Sequence, residues 1–193
     1  MKQSAPKPKD CPVCGKEFTP LRPMQAVCSP RCAARKVRSD KELAKLKEKK
    51  LTVARKEAIK SRAKWLAECQ AVVNKYVRLK AARAGESCYT CGATPQQKFG
   101  GTFDASHFRS VGSAPHLRFW IPQIRICCVV CNRHKGGELL AFRRNLVAEH
   151  GADWVQQLEA RQETAKFTID YLKRLKKIMS KKVRRLEKRM DML

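Results

Sequence analysis

The chain has 193 residues, 43 of them Lys or Arg and 17 Asp or Glu, for a formal net charge of +26. That excess goes beyond what solubility asks for and points to a polyanion, with nucleic acid favoured over a membrane surface, which would want a strongly apolar helix face or an anchor. No run approaches the roughly 20 apolar residues of a membrane span, and the polar Lys/Pro-rich start offers nothing for export, so the expected setting is a reducing cytoplasm, where paired cysteines favour metal over disulfides.

The first predicted element is a finger over residues 1–34. Its line Cys11-Pro-Val-Cys14-Gly15-Lys-Glu-Phe18 reads as a zinc knuckle, with Gly15 allowing the turn and Phe18 packing under the ion. Two thiolates on such a turn stand about 2.3 Å from a common Zn²⁺, and Cys28 with Cys32 completes a four-thiolate site. The 13-residue gap between pairs suits a small treble-clef or ribbon finger, too short to make a core without its ion. Such fingers bind nucleic acid, bind protein or brace a neighbour.

Residues 33–84 contain neither Gly nor Pro, which predicts one long helix or two in line over 35–84. From Arg35 to Lys64 there are 13 basic and 4 acidic residues and no continuous apolar stripe. That half reads as a solvated helix, a linker or a phosphate-tracking arm. From Ile59 onward, Ala63, Leu66, Val73 and Val77, with Trp65 and Tyr76 nearby, recur at helical spacing and should pack on the next unit. Cys69, inside that stripe, reads as a small buried hydrophobe.

Residues 85–151 form the second cysteine unit. Cys88-Tyr-Thr-Cys91-Gly92 is a second knuckle, followed by a turn at Gly100-Gly101 and a strand over Thr102–Phe108. A polar loop from Arg109 to Pro115 precedes a strand-like run from Phe119 to Val130. Cys128 and Cys131 then lead into a helix over 138–149, closed by Gly151. The pattern is β-β-α around a second zinc site, so the two sets use eight of the ten cysteines. Residues 152–193 read as two helical pieces, the second capped by Thr168 with Asp170. In it Leu172, Leu175, Met179, Val183, Leu186, Met190 and Leu193 form a seam, for packing within the chain or for a homodimer. The fold class is α+β.

Chemistry concentrates around the second cysteine set. A full four-thiolate zinc cannot activate water, but it clamps the 36 residues between Cys91 and Cys128 into one hairpin. The clamp brings Asn132 against the strand that carries Asp104 and His107. Asp104 and Asn132 make an oxygen-rich pair suited to Mg²⁺ or Mn²⁺. His107 has an ordinary pKa near 6.5, right for taking a proton from water. Arg109, Arg118, Arg133 and Lys135 flank this centre as candidate phosphate contacts on DNA. His134 reads as a second metal ligand, a phosphate-facing group or neither; His116 and His150 read as surface residues.

The line Asp104-Ala-Ser-His107-Phe108, Leu117-Arg118-Phe119 and Cys128-Val-Val-Cys131-Asn132-x-His134-Lys135 resembles the NinG (Rap) recombination proteins of lambdoid phages. So does Cys11-x-x-Cys14-Gly15, Phe18-x-Pro20 and Cys28-Ser29-Pro30-x-Cys32, in the same order over nearly the whole chain. In the wider sense the second unit resembles the HNH, or ββα-metal, nuclease fold in its zinc-clamped form. The resemblance implies a structure-specific endonuclease cutting Holliday junctions and D-loops in the cytoplasm of a bacterial host. It assigns His107 as general base and Asn132 as ligand of the divalent ion, with Asp104 the candidate second ligand. Two departures stand out. Ser106 takes the place where HNH enzymes often put a carboxylate, and Gln123 replaces the middle Asn of the signature. The Gln123 amide is expected to keep the structural hydrogen bond of that Asn. Cys127, beside Cys128, competes for the metal, and the CxxC spacing favours Cys128.

Overall fold

The computed structural model describes residues 7–94 and 103–190, so the expected turn at Gly100-Gly101, Thr102 at the head of the strand and the last seam residue, Leu193, lie outside the described residues. The chain is mixed helix with two small antiparallel sheets and divides into compact units over residues 1–60 and 61–193.

In the first unit, β1 (Lys9–Asp10) pairs with β2 (Glu17–Phe18). The turn between them closes with Gly15 N–H on the Cys11 carbonyl at 2.8 Å, and Gly15 sits at φ 71°, where a side chain would be strained. Helix α1 (Pro30–Ala58) starts inside the finger: the Ser29 hydroxyl accepts from Cys32 N–H and Pro30 fills the first turn. The fourth thiolate therefore comes from a helix, as in a treble clef rather than a ribbon. Cys11, Val27 and Cys32 form a tiny core, with Val13 and Phe18 packed against it. Among its described residues α1 buries only Cys32, while Val37, Leu43, Leu46, Leu51 and Val53 are exposed. The helical expectation from residue 33 is met, but the element begins earlier and breaks at residues 59–61.

The second unit opens with α2 (Arg62–Arg83), capped by Ser61. Its buried stripe is Trp65, Cys69, Val73, Val77 and Ala81, a step of four throughout. Trp65 belongs to the stripe, whereas Ala63 and Ile59 are exposed, Ile59 by 84 %. The Ser61 cap explains the difference, because it restarts the helix and resets which residues face inward. Cys69 is fully buried and its thiol donates to the Leu172 carbonyl at 3.2 Å.

Strand β3 (Phe103–His107) pairs antiparallel with β4 (Ile124–Cys128), setting Ala105 opposite Ile126 and His107 opposite Ile124. The second strand is shorter than the expected run from Phe119. Proline at 122 lacks a donor and fixes its φ, and residues 121–123 form a 3₁₀ turn instead. Ala105, Ile124 and Ile126 pack on the α2 stripe. The other face, with Cys127, meets Phe142 and Leu146 of α3 (Leu139–His150) and Val155 and Leu158 of α4 (Ala152–Ala160). The small sheet thus separates two apolar layers.

Helix α5 (Ile169–Met190) closes the unit, with Thr168 Oγ1 accepting from Tyr171 N–H as the expected cap. Leu172, Met179 and Val183 are buried, and Leu172 and Met179 share the α2 cluster. Ion pairs Lys176–Glu68 at 2.8 Å and Lys75–Glu187 at 2.7 Å flank that packing. The occupant of the apolar seam is α2 of the same chain, so a homodimer through this helix would have to use another face.

Candidate active site and metal centres

Two cysteine clusters, Cys11/Cys14/Cys28/Cys32 and Cys88/Cys91/Cys128/Cys131, each bring four sulfurs within 4.8 Å of one another. Four sulfurs held about 2.3 Å from one tetrahedral ion stand about 3.8 Å apart. Cys14–Cys28 at 3.5 Å, Cys28–Cys32 at 3.7 Å and Cys91–Cys128 at 3.9 Å match that spacing. Both clusters are therefore compatible with structural zinc. Close packing splits the thiols of each cluster: Cys28, through its hydrogen bond with Cys14, and Cys131, through burial, are pushed up to about 12, while one partner in each cluster is pushed down. A hydrogen bond from the Cys28 backbone, with others from Val13 and Cys14, brings Cys11 down to about 6. Burial opposes ionisation of Cys88, but hydrogen bonds from Thr90 and from the Cys128 and Cys91 backbone bring it to about 6 as well. Cys127 is fully buried on the opposite side of β4 from Cys128, and burial pushes its thiol up to about 12. It stays a neutral core residue, and Cys128 is the sulfur the cluster contains.

The turn after Cys131 positions the rest. Residues Val130–His134 make a single π-helical turn, and Gly137 N–H closes on the Cys131 carbonyl at 2.8 Å. Asn132 on this turn donates through Nδ2 to Asp104 Oδ2 at 3.0 Å, joining the turn after the second cysteine cluster to β3. Arg133 grips the same carboxylate with two parallel bonds, Nε to Oδ2 at 2.7 Å and a terminal nitrogen to Oδ1 at 2.9 Å. The Arg133 hydrogen bond, with Asn132 assisting against burial, lowers the Asp104 pKa and keeps it ionised.

This pair fits a hard divalent ion in kind: one carboxylate and one amide oxygen, with water or phosphate for the remaining positions. The place is already cationic, because the guanidinium of Arg133 sits on it. That side chain is 58 % exposed, and an ion would join only by displacing it from the carboxylate and with the Asn132 amide turned to bring its oxygen inward.

His107 lies elsewhere on the strand. Alternation sends Asp104 and Ser106 to one face and Ala105 and His107 to the other. His107 Nε2 is 3.0 Å from the Arg118 carbonyl and 3.4 Å from Gln70 Nε2 on α2. A carbonyl only accepts, so Nε2 carries the proton and Nδ1 keeps the lone pair of the neutral ring, which leaves the Gln70 amide nitrogen, itself a donor, as a neighbour of Nε2 and not a hydrogen-bond partner. Burial lowers the His107 pKa, only partly offset by the Arg118 carbonyl. At neutral pH it is an unprotonated base. Asp104, Asn132 and Arg133 are thus brought together, while the polar neighbours of His107 are Gln70 and the Arg118 carbonyl. Neither of those neighbours is legible in the sequence, since Gln70 lies 37 residues upstream in a basic helix.

Gln123 does what its place in the hairpin suggests. It is fully buried, accepts from Arg109 N–H at 2.9 Å and donates to the Leu117 carbonyl at 2.9 Å. One amide thereby pins both ends of the loop between the strands. Gln123→Leu leaves the Arg109 N–H without its acceptor, costing about 1–3 kcal/mol, while the Leu117 carbonyl keeps its bond from Trp120 N–H at 2.9 Å. A thermal melt should show the loss directly, with zinc content unchanged.

The flanking cations are mostly engaged. Arg109 donates through one terminal nitrogen to the Leu158 and Glu159 carbonyls at the end of α4. The Arg118 Nε is buried and has no partner among the described residues. Lys135 pairs with Glu138 at 2.9 Å at an exposed position. His116 is less superficial than expected, with both ring nitrogens buried and without a partner among the described residues. His150 is exposed, as expected, with its ring tilted 4.2 Å from that of Trp154. No helix among the described residues is long and apolar enough to cross a membrane.

The chain is 33 % identical over 132 residues to protein ninG of Escherichia phage lambda, 32 % to that of Salmonella phage P22 and 31 % to that of Escherichia phage 933W. Each match covers 68 % of this chain and 62–63 % of the relative, so the matched stretch spans less than two thirds of those proteins. No solved structure matches. The family description "Bacteriophage Lambda NinG protein" fits residues 3–189, nearly the whole sequence including both cysteine clusters, and the chain belongs to the NinG family.

Proposed function

We propose that this protein is a metal-dependent DNA endonuclease of the HNH, or ββα-metal, kind, cutting branched recombination intermediates in the host cytoplasm. The observation that carries the reading is the contact of Asn132 with Asp104 at 3.0 Å, held across a zinc clamp on a β-hairpin whose end carries a neutral, oriented histidine. A module that only binds DNA has no use for that combination.

In the proposed reaction His107, which leaves β3 on the face opposite Asp104, takes a proton at Nδ1 from water on a phosphate that reaches round the strand end, while Nε2 stays fixed on the Arg118 carbonyl. Asp104 and Asn132 would hold Mg²⁺ or Mn²⁺, which when bound supplies Lewis-acid stabilisation of the phosphate and the leaving 3′ oxygen. Arg133 leaves the carboxylate and, with Lys135, meets phosphates beside the cut. Junctions present backbones in directions a duplex does not, so substrate choice rests on DNA shape.

The pH dependence follows from the sign of the His107 shift. Its pKa is below the ordinary 6.5, and the working form is the neutral ring. The midpoint of the acid decline in cleavage should therefore lie below pH 6.5. A pH–rate profile on a labelled four-way junction at saturating Mg²⁺ tests the reading, and a midpoint above the ordinary 6.5 contradicts it. The rival reading, a non-catalytic zinc-finger DNA-binding protein, draws on the Arg133–Asp104 ion pair, which satisfies the carboxylate without any metal. It predicts junction binding with no metal-dependent cleavage at any pH.

A further inference from the structure

The outer face of α5 has no assigned role. Ten of the 22 residues of α5 are Lys or Arg and two are acidic. Those nearest the seam are engaged: Lys176 pairs with Glu68 and sits 5.2 Å over the Trp65 ring, and Lys182 sits 5.6 Å over Tyr76. Opposite the seam, Arg174, Lys177, Lys181, Arg184 and Lys188 follow one another at steps of three or four. All five are exposed, and none has an acidic or aromatic partner among the described residues.

Like charges at these steps repel along a helix. A solvated face would relieve the repulsion with interspersed acidic residues, as α1 does with Lys36–Asp40 at 2.9 Å, but this ridge carries none. The unrelieved row needs an external polyanion. Its dimensions specify which: at 1.5 Å per residue Arg174 to Lys188 spans about 21 Å, with a cation about every 5 Å. Duplex DNA places a phosphate every 3.4 Å along each strand, so the ridge matches about six base pairs of one strand. The buried seam behind it keeps the helix straight and anchored, a rigid edge to lay along a backbone.

We propose that the outer ridge of α5 is a phosphate-tracking surface that holds a duplex DNA arm, in the same compact unit as the Asp104–Asn132 pair. The proposal rests on the nucleic-acid reading of this protein but not on cleavage. Contacts of this kind fix position and carry no sequence preference.

The test is a five-site variant of the full chain, R174Q/K177Q/K181Q/R184Q/K188Q, all exposed positions where Gln keeps the helix. Binding to a fluorescent 30-base-pair duplex and a four-way junction is measured by anisotropy from 50 to 300 mM NaCl. Each lost phosphate contact removes about 0.9 from the slope of log K against log salt. The expected result is a slope smaller by two or more on both substrates and affinity at least tenfold weaker at 150 mM. Circular dichroism checks that the helix persists; should it fail, the single variants R174Q, K181Q and K188Q are read the same way, each expected to lower the slope by about 0.9.

An unchanged slope overturns the proposal. So does loss of binding to phosphatidylserine vesicles with DNA affinity intact, which would make the occupant a membrane surface. Cleavage is assayed separately, on the parent protein at low salt. Absence of nicking by the parent speaks against the nuclease reading alone and leaves the slope comparison valid.

Discussion

His107→Ala is expected to retain fold, zinc and junction binding and to lose cleavage by about 10²-fold or more, the usual scale for a positioned general base. The ring sits at the strand end and is not part of the fully buried core, so its loss should leave the hairpin standing. Asp104→Ala and Asn132→Ala should cut as poorly for a different reason, because their proposed role is to hold the ion. Raising Mn²⁺ should recover part of their activity and none of that of His107→Ala. Junction affinity measured alongside separates these roles from a structural one. If binding falls together with cleavage, His107 belongs to the scaffold and the base assignment fails. Equal cleavage by variant and parent removes that assignment as well.

Elemental analysis of protein purified without added metal should find about two zinc ions per chain. Cys131→Ser should leave about one and do far more damage than Cys14→Ser. Cys131 begins the turn that carries Asn132, and its backbone carbonyl anchors Gly137. Structural zinc contributes about 10–16 kcal/mol in small metal-dependent folds, comparable to the whole stability of an ordinary domain, about 5–15 kcal/mol. Losing the second site should lower the melting temperature of the 61–193 unit by about 10 °C or more. Losing the first should leave that unit's melt in place, because the finger core of Cys11, Val27 and Cys32 lies in the other unit. Zinc near zero in well-folded protein would remove the foundation for both statements.

The metal clusters are legible in the sequence because their information is local: CxxC spacing, a following Gly and a second pair. The helix from residue 33 and the two helices after residue 151 are legible from the absence of breakers and the placement of Gly151. The Gln123 bridge can be anticipated from its place in the hairpin. What cannot be read is where engaged charges find their partners. Position alone suggests phosphate for Arg109 and does not show that one of its terminal nitrogens caps the carbonyl end of α4, 49 and 50 residues away. Arg133 reads as a free cation, although it holds the carboxylate next to its own neighbour Asn132. The true start of the α2 stripe depends on Ser61 acting as a cap, which a periodicity running through Ile59 and Ala63 conceals. The seam of α5 announces a partner helix but not which one, because periodicity carries no address.

Whether the protein is a nuclease or only a binding module is decided most directly by incubating it with end-labelled four-way junction, D-loop and linear duplex, each with and without Mg²⁺. A nuclease of the proposed kind makes Mg²⁺-dependent cuts in the branched substrates, few in the linear duplex, and none in any substrate after chelation of Mg²⁺ under conditions that retain both zinc ions. Tight junction binding with every strand intact at saturating Mg²⁺ or Mn²⁺ would contradict the nuclease reading and leave the Asp104–Arg133 pair as a structural ion pair in a DNA-binding protein.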